Sequence, residues 1–280
     1  MSFYPSCLSF KPSKANYQNI MHIYDPTFSI ITVVLNGENI IRTTLDSIAN
    51  QTYKNFELIV IDGGSTDNTI EMVNCFQKNI NLKYLTEKDD GIYDAMNKGI
   101  ELSKGKWILF MNAGDCLFDQ DTLQYLASSI KSTDHIIYGD NKVIYSSKKQ
   151  KVRKAGQYKD LWKGSQFCHQ SSIIKSDIHK RIKFNTSYRL AADFDFFYQC
   201  NKDNLTFRKV NAIISKTSAG GVSDTQRIKV IKEWQTIAGK NFFINSFYFL
   251  LIFIELSKKT LKKIITFPSY FLTKKSLTKT

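Results

Sequence analysis

The chain has 280 residues, of which 42% are apolar and 23% charged, and only four are prolines. That excludes a wholly disordered, proline-rich or collagen-like chain and leaves room for one large domain, or two small ones, with a buried core. Thirty-nine Lys plus Arg against 25 Asp plus Glu give a formal charge of +14, an excess expected of a protein that meets a polyanion, either nucleic acid or an anionic membrane surface.

Residues 1–27 read as an irregular extension, without the charged start and apolar run of a secretion signal. Cys7, Cys75, Cys116, Cys168 and Cys200 are far apart and form no C-x-x-C pair, which argues against a disulfide framework or a zinc site and fits a reducing, cytoplasmic setting. From Phe28 the pattern becomes regular. FSIITVVLN (28–36) reads as a buried strand, 39–51 as a helix carrying Ile41, Leu45 and Ile48 on one face, and FELIVID (56–62) as a second strand. A helix marked by Ile70, Val73 and Phe76 follows, then a strand at 82–87, a helix at 92–103 and the apolar strand KWILFMN (106–112). This alternation predicts right-handed βαβ units on a mostly parallel sheet.

Beyond Asp115 the expected elements are a helix at 123–130, a strand at 135–140, a basic loop region from Lys142 to Lys163, a helix at 193–202 and a strand at 205–215. Ser223 and Gln226 have capping-box spacing before a helix carrying Ile228, Ile231, Trp234 and Ala238. The apolar run Phe242 to Leu256 is 15 residues long, short of the roughly 20 needed to span a bilayer, so it is expected in a membrane interface or in the protein's own core. Seven lysines and no acid follow Ser257 (Lys258, Lys259, Lys262, Lys263, Lys274, Lys275, Lys279). They are interleaved with aliphatics, which suits an amphipathic segment on anionic lipid rather than a nucleic-acid reader.

Parallel sheets bind ligands beyond the carboxyl ends of their strands. There the sequence places Asn36-Gly37-Glu38, then Asp62-Gly63-Gly64-Ser65, then the acid-rich EKDDGIYDAMNKG (87–99), then Asn112-Ala113-Gly114-Asp115. A carboxylate followed by two glycines allows close backbone approach and offers an acceptor to a ribose hydroxyl or base N–H. An acid emerging from an apolar strand, as Asp115 does, is costly to bury unpaired.

On SIITVVLNGENIIRTTLDSIANQTYKNFELIVIDGGSTDNT, EKDDGIYDAMNKGIELSKGKWILFMNAGD, FCHQSS, AADFDFF and GGVS, the chain resembles a family 2 glycosyltransferase of the GT-A fold, over about 195 of its 280 residues. It is similar in particular to the branch found in bacterial surface-polysaccharide assembly. The resemblance implies an inverting transfer from a nucleotide sugar, such as a UDP-sugar, to a glycan or lipid-linked acceptor at the inner face of the cell membrane. It implies that Asn36 and Glu38 belong to the nucleotide-contacting loop, that Asp62 meets the nucleoside and Asp89 the base, and that Asn97 lies beside the donor. Asp115 then matches the last acid of the motif that holds a divalent cation, Mg²⁺ or Mn²⁺, and Asp193 the general base. Two departures stand out: the metal motif keeps one acid, and Ala192 precedes Asp193, which leaves Asp195 as a rival base. His169 is expected to position a loop. The domains are expected at 28–225, with a nucleotide-sugar half at 28–116 and an acceptor half at 117–225, and a C-terminal helix and basic tail at 226–280. The alternatives are a glycosyltransferase-like membrane partner subunit without activity and a sugar-nucleotidyltransferase. The latter would carry a G-x-G-T-R-like loop where Leu35-Asn36-Gly37-Glu38 stands.

Overall fold

The structure, a computed structural model, describes residues 26–266; the extension at 1–25 and Lys274, Lys275 and Lys279 lie outside the described residues. The first half runs β1 (Phe28–Val34), α1 (Ile41–Ala49), β2 (Phe56–Asp62), α2 (Thr69–Phe76), β3 (Leu82–Thr86), α3 (Ile92–Leu102) and β4 (Trp107–Phe110). Every residue of β1 and β2 is buried, because helices cover both faces of the sheet, as parallel strands require. Successive residues serve opposite faces. Ile30, Leu58 and Val60 pack under α1 with Ile41 and Leu45, while Ile31, Ile59 and Ile61 pack under α3 with Met96 and Ile100. Each fully buried Ile, Leu or Val here contributes about 1.5–3 kcal/mol.

The second half runs β5 (Cys116–Leu117), α4 (Thr122–Ser129), β6 (Ile136–Ser146), β7 (Lys149–Arg153), 3-10 turns at Tyr158–Lys163 and His169–Ser171, and β8 (Ser172–Lys175). It continues through α5 (Ser176–Arg181), α6 (Ala192–Lys202), β9 (Phe207–Ser218), α7 (Val222–Thr225), α8 (Arg227–Ala238) and α9 (Phe242–Thr266). The nine strands among the described residues form one sheet in the order β3-β2-β1-β4-β8-β6-β9-β5, with β7 beside β6. The first four are parallel, as expected from sequence. Past β4 the sheet is mixed: β8 runs antiparallel to both β4 and β6, and β9 is parallel to β6 and antiparallel to β5.

Two expectations change. The stretch 142–163 is not a plain loop, because β6 continues to Ser146 and turns back into β7. Its basic residues are exposed or half-buried, on that hairpin and on the 3-10 turn Tyr158–Lys163 that follows. The capping box is not formed: Ser223 lies within the single turn α7, Gln226 precedes α8, and neither side chain caps. The apolar run 242–256 is the start of the 25-residue α9. On its inner side Tyr248 is buried and donates its hydroxyl to the carbonyl of Trp162 at 2.8 Å, and Phe247 packs edge-on to the Trp162 ring. On its outer side Phe242, Phe243, Phe249, Leu250 and Phe253 are exposed. No helix among the described residues is long and apolar enough to cross a membrane.

Candidate active site

β1 and β2 pair in register from Phe28 opposite Phe56 to Val34 opposite Asp62, so the loops that follow them open side by side. Asp62 is fully buried. Its carboxylate accepts the Ser65 N–H at 3.0 Å and the Ser65 hydroxyl, and the Ser65 oxygen accepts the N–H of Asn36 at 2.8 Å. Asn36 sits at φ +49°, a left-handed conformation that Asn tolerates better than most side chains. Its side-chain oxygen accepts the Thr66 N–H at 2.9 Å. Glu38 accepts the backbone N–H of Asn68 at 3.1 Å and its side-chain amide at 2.8 Å, placing an acid at the N-terminus of α2. Asn36 and Glu38 thus join the first loop to the second. Asp89 comes in from the loop after β3, with Oδ1 accepting the Gly91 N–H at 2.9 Å. Oδ2 lies so close to Gly63 that a Cβ there would collide with it. The glycine therefore lets Asp62 and Asp89 share one corner.

Asn97 faces elsewhere. Its amide donates to the carbonyl of Phe184 and accepts the Phe184 N–H, both at 2.9 Å, and so fastens α3 to the chain after α5.

After β4, residues 112–115 form a turn in which the Asp115 N–H donates to the Asn112 carbonyl at 2.9 Å. Gly114 holds φ +92°, the left-handed third position that a type II turn reserves for glycine. The turn presents the Asp115 carboxylate, whose Oδ2 accepts the Gln170 amide at 2.7 Å. Burial raises Asp115 above the usual carboxylate value, against the Gln170 hydrogen bond and the nearby His169. Asn112 Oδ1 is buried without a hydrogen-bond partner. One carboxylate with an unpartnered amide oxygen in the same turn suits a hard cation, or a water bound to one, whose shell substrate phosphates complete. No group of three or more His, Cys, Asp and Glu able to hold a metal occurs among the described residues.

The 3-10 turn His169–Ser171 connects this acid to a second one. Gln170 holds Asp115, and the neighbouring His169 places Nδ1 3.0 Å from Oδ2 of Asp193, with Nε2 3.5 Å from the Asn112 amide nitrogen. Asp193 stands in the first turn of α6, where its Oδ1 accepts the Phe194 N–H at 2.9 Å and the Tyr93 hydroxyl at 3.0 Å. Burial acts to raise Asp193, but the His169 hydrogen bond and charge and the Phe194 and Tyr93 donors outweigh it and hold the acid below its ordinary value. Tyr93, buried beside that carboxylate, is pushed far above the usual phenol and stays a donor. Asp195, two residues on, turns away: it accepts Gln199 at 2.9 Å and lines a separate 320 Å³ cleft with Tyr188, Tyr198, Lys202 and Lys240.

The structure therefore brings together Asn36, Glu38, Asp62 and Asp89 at one corner, and Asp115 and Asp193 across a single turn. It leaves Asn97 engaged with Phe184. Gln170 and Tyr93 went unread in the sequence; F-C-H-Q-S carried the signal for Gln170, one residue past the histidine singled out there, whereas nothing local marks a tyrosine on a helix as the partner of an acid 100 residues away.

The model of the family described as Glycosyl transferase family 2 matches residues 29–211. A curated relative, the "PGL/p-HBAD biosynthesis glycosyltransferase" of Mycobacterium bovis (strain BCG / Pasteur 1173P2), is 36% identical over 207 residues, covering 71% of this chain and 80% of its own length. Among solved structures, S. aureus TarS 1-349 in complex with UDP-GlcNAc superposes with a TM-score of 0.59 at 17% identity, over 79% of this chain and 69% of that one. In the longer TarS structure the match spans 39% of that chain. The mannosyltransferase PcManGT from Pyrobaculum calidifontis, in complex with GDP-Man and Mn2+, gives 0.59 at 17% identity, over 75% of this chain and 62% of its own. At such identities the likeness concerns the fold, which is that of the GT-A glycosyltransferases.

Proposed function

The chain belongs to glycosyl transferase family 2, and from that membership we propose that it moves one sugar from a UDP-sugar to a hydroxyl of a lipid-linked or glycan acceptor, with inversion, in surface-polysaccharide assembly. The observation that carries this reading is the turn 169–171, which ties a carboxylate suited to a cation, Asp115, to a second carboxylate with an imidazole attached, Asp193. A single displacement needs positive charge on the leaving side and a proton acceptor on the attacking side.

Asp62, and Asp89 whose carboxylate lies against the neighbouring Gly63, offer acceptors to the nucleoside. Asp115 would hold a divalent cation, Mg²⁺ or Mn²⁺, whose remaining ligands the substrate and water would supply. When bound, that cation offsets the charge developing on the leaving nucleoside diphosphate. Asp193 anchors the centre that receives the acceptor proton. The solved neighbours with UDP-GlcNAc and with GDP-Man and Mn2+ support a nucleotide-sugar donor and a divalent cation.

The outer face of α9 is assigned to an anionic membrane surface, at the cytoplasmic side. Phe242 and Phe253 are 79% and 67% exposed, while the inner face of the same helix is in the core, so this helix is apolar on two sides and partnered on one. The sequence from Lys258 onward carries seven lysines and no acid, a charge complementary to anionic lipid, each lysine contributing about 1 kcal/mol near such a surface.

The test is a panel of nucleotide sugars, scored for donor hydrolysis and for transfer in the presence of Mg²⁺ or Mn²⁺, with and without vesicles containing anionic lipid. Turnover of a UDP-sugar is expected. Inertness towards every donor and metal would favour the non-catalytic partner subunit, and a Phe249→Ser, Phe253→Ser double variant that still sediments fully with vesicles would remove α9 from the membrane contact.

A further inference from the structure

We propose that the proton of the attacking hydroxyl is taken by Nε2 of His169, and that Asp193 is the positioning residue that holds this imidazole in the required tautomer. The proposal rests on the transferase reading above and names the reacting atom within it.

The argument starts from what surrounds Asp193. All three of its neighbours are donors: the Tyr93 hydroxyl, the Phe194 N–H and His169 Nδ1. An ionised carboxylate only accepts hydrogen bonds, so Nδ1 carries a ring proton, and in the neutral imidazole Nε2 then carries the lone pair. A carboxylate already satisfied by three donors gains little from a further proton, and proton transfer to it is correspondingly unfavourable. Nε2 is different. Among the described residues its hydrogen-bonding neighbour is the Asn112 amide at 3.5 Å, a long contact that an acceptor hydroxyl can displace. Asn112 belongs to the turn that presents Asp115, so the lone pair is aimed at the side of the site where the donor sugar would lie. His169 keeps 14% of its side chain open to solvent.

The other groups facing the ring fit the role. Asp193, from α6, faces the ring with Oδ2 3.0 Å from Nδ1. His179 of α5, the nearby imidazole, is held neutral by burial, with its value lowered to about 3, so it adds no opposing charge at neutral pH.

The step balances as follows. The acceptor oxygen forms a bond to the anomeric carbon while the bond from that carbon to the diphosphate oxygen breaks. The electron pair leaves with the diphosphate, and the hydroxyl proton passes to Nε2, giving an imidazolium paired with Asp193. The imidazolium returns its proton to solvent after product departs.

The experiment compares the wild type with His169→Gln, which keeps a donor for Asp193, and His169→Ala, which leaves space for an added base. Transfer kinetics are measured with and without imidazole, UDP affinity by calorimetry, and folding by thermal melting. His169→Gln is expected to lose about 10²–10⁴-fold in kcat with UDP affinity unchanged, and imidazole should restore part of the His169→Ala rate. If His169 only positions a loop, Gln should retain activity within about tenfold and imidazole should do nothing; that result overturns the proposal and returns the proton to Asp193. A wild type that transfers no sugar would instead overturn the transferase reading, and this step with it.

Discussion

Replacing Asp62 with alanine separates what this carboxylate does for the loops from what it does for a nucleotide. In the folded chain it is fully buried and accepts both the N–H and the hydroxyl of Ser65, while Ser65 in turn accepts the Asn36 N–H. Removing it leaves those donors without their acceptor, at about 1–3 kcal/mol. For a domain of this size that corresponds to a fall in Tm of about 2–12 °C. The backbone carbonyl of Asp62, which accepts the Glu87 N–H, is untouched, so β3 stays docked and the protein folds. A charge-assisted bond to the nucleoside contributes about 1.5–3 kcal/mol, so UDP affinity should drop a further 10- to 150-fold or so. Ser65→Ala is the control, because it loosens the same loops but keeps the acid. Calorimetric titration with UDP, beside melting curves of both variants, reads the two effects apart. Unchanged affinity in Asp62→Ala would remove the residue from the site, and equal affinity losses in both variants would show that the acid acts only through the loops.

Gly63→Ala should act on the same corner from the other side, pushing the Asp89 carboxylate away and weakening UDP binding while Asp62 stays in place; calorimetry checks it. Asp193→Asn should lower transfer by about 10²–10⁴-fold with donor affinity nearly unchanged, whereas Asp195→Asn, which faces Gln199 and a different cleft, should cost much less in rate; the opposite order in a transfer assay would make Asp195 the functional acid. Asp115→Asn should abolish metal-dependent donor turnover, and metal titration of the wild type should show weak binding that tightens when UDP is present; tight binding to the free protein would show that another site holds the cation. The buried Asp134 is paired with Arg208 at 2.8 and 2.6 Å. Burial opposes its ionisation, but the Arg208 bonds prevail and depress its pKa, so this pair stabilises the fold above the ordinary Asp value of about 3.9 and the contribution fades as pH falls through the lower folded value. Arg208→Met should therefore lower Tm markedly at pH 7 and much less once the pH is below the folded value of Asp134.

How much of this was legible in the sequence follows from where each signal resides. β1, β2 and β4 are runs of β-branched and aromatic residues buried on both faces, and such runs announce themselves. β8 does not, because Ser172–Lys175 is only four residues long, yet it occupies the centre of the sheet between β4 and β6 and is what turns a parallel sheet into a mixed one. β7, five residues of which four are polar or charged, reads as loop until its pairing with β6 is seen. The acids were visible because strand ends concentrate them. Their division of labour was not, since Asn36 and Glu38 prove to brace loops, Asn97 to brace Phe184, and Gln170 and Tyr93 to orient acids from far along the chain.

The two acids joined by the turn 169–171 illustrate why roles need the structure. Both are carboxylates on the sheet's ligand-binding edge, and by sequence either could hold a cation or accept a proton. Their surroundings drive them apart. Asp115 has neutral donors in Gln170 and the Ser218 backbone and only a more distant His169, and burial prevails, raising its value; a cation would supply the positive charge it lacks at contact distance. Asp193 has an imidazole, a phenol and a backbone N–H, and these prevail over burial, lowering its value; its positive partner is already built in. Environments that pull two neighbouring acids in opposite directions assign them different tasks. Since a single 3-10 turn delivers both Gln170 and His169, shifting that turn would disturb the leaving-group side and the attacking side together. A substitution in the turn that spares both side chains, such as Ser171→Ala, which breaks the 2.6 Å bond to Ser215, should then reduce cation-dependent donor hydrolysis and acceptor transfer in parallel. Loss of one with the other intact would show that the two sides are positioned independently.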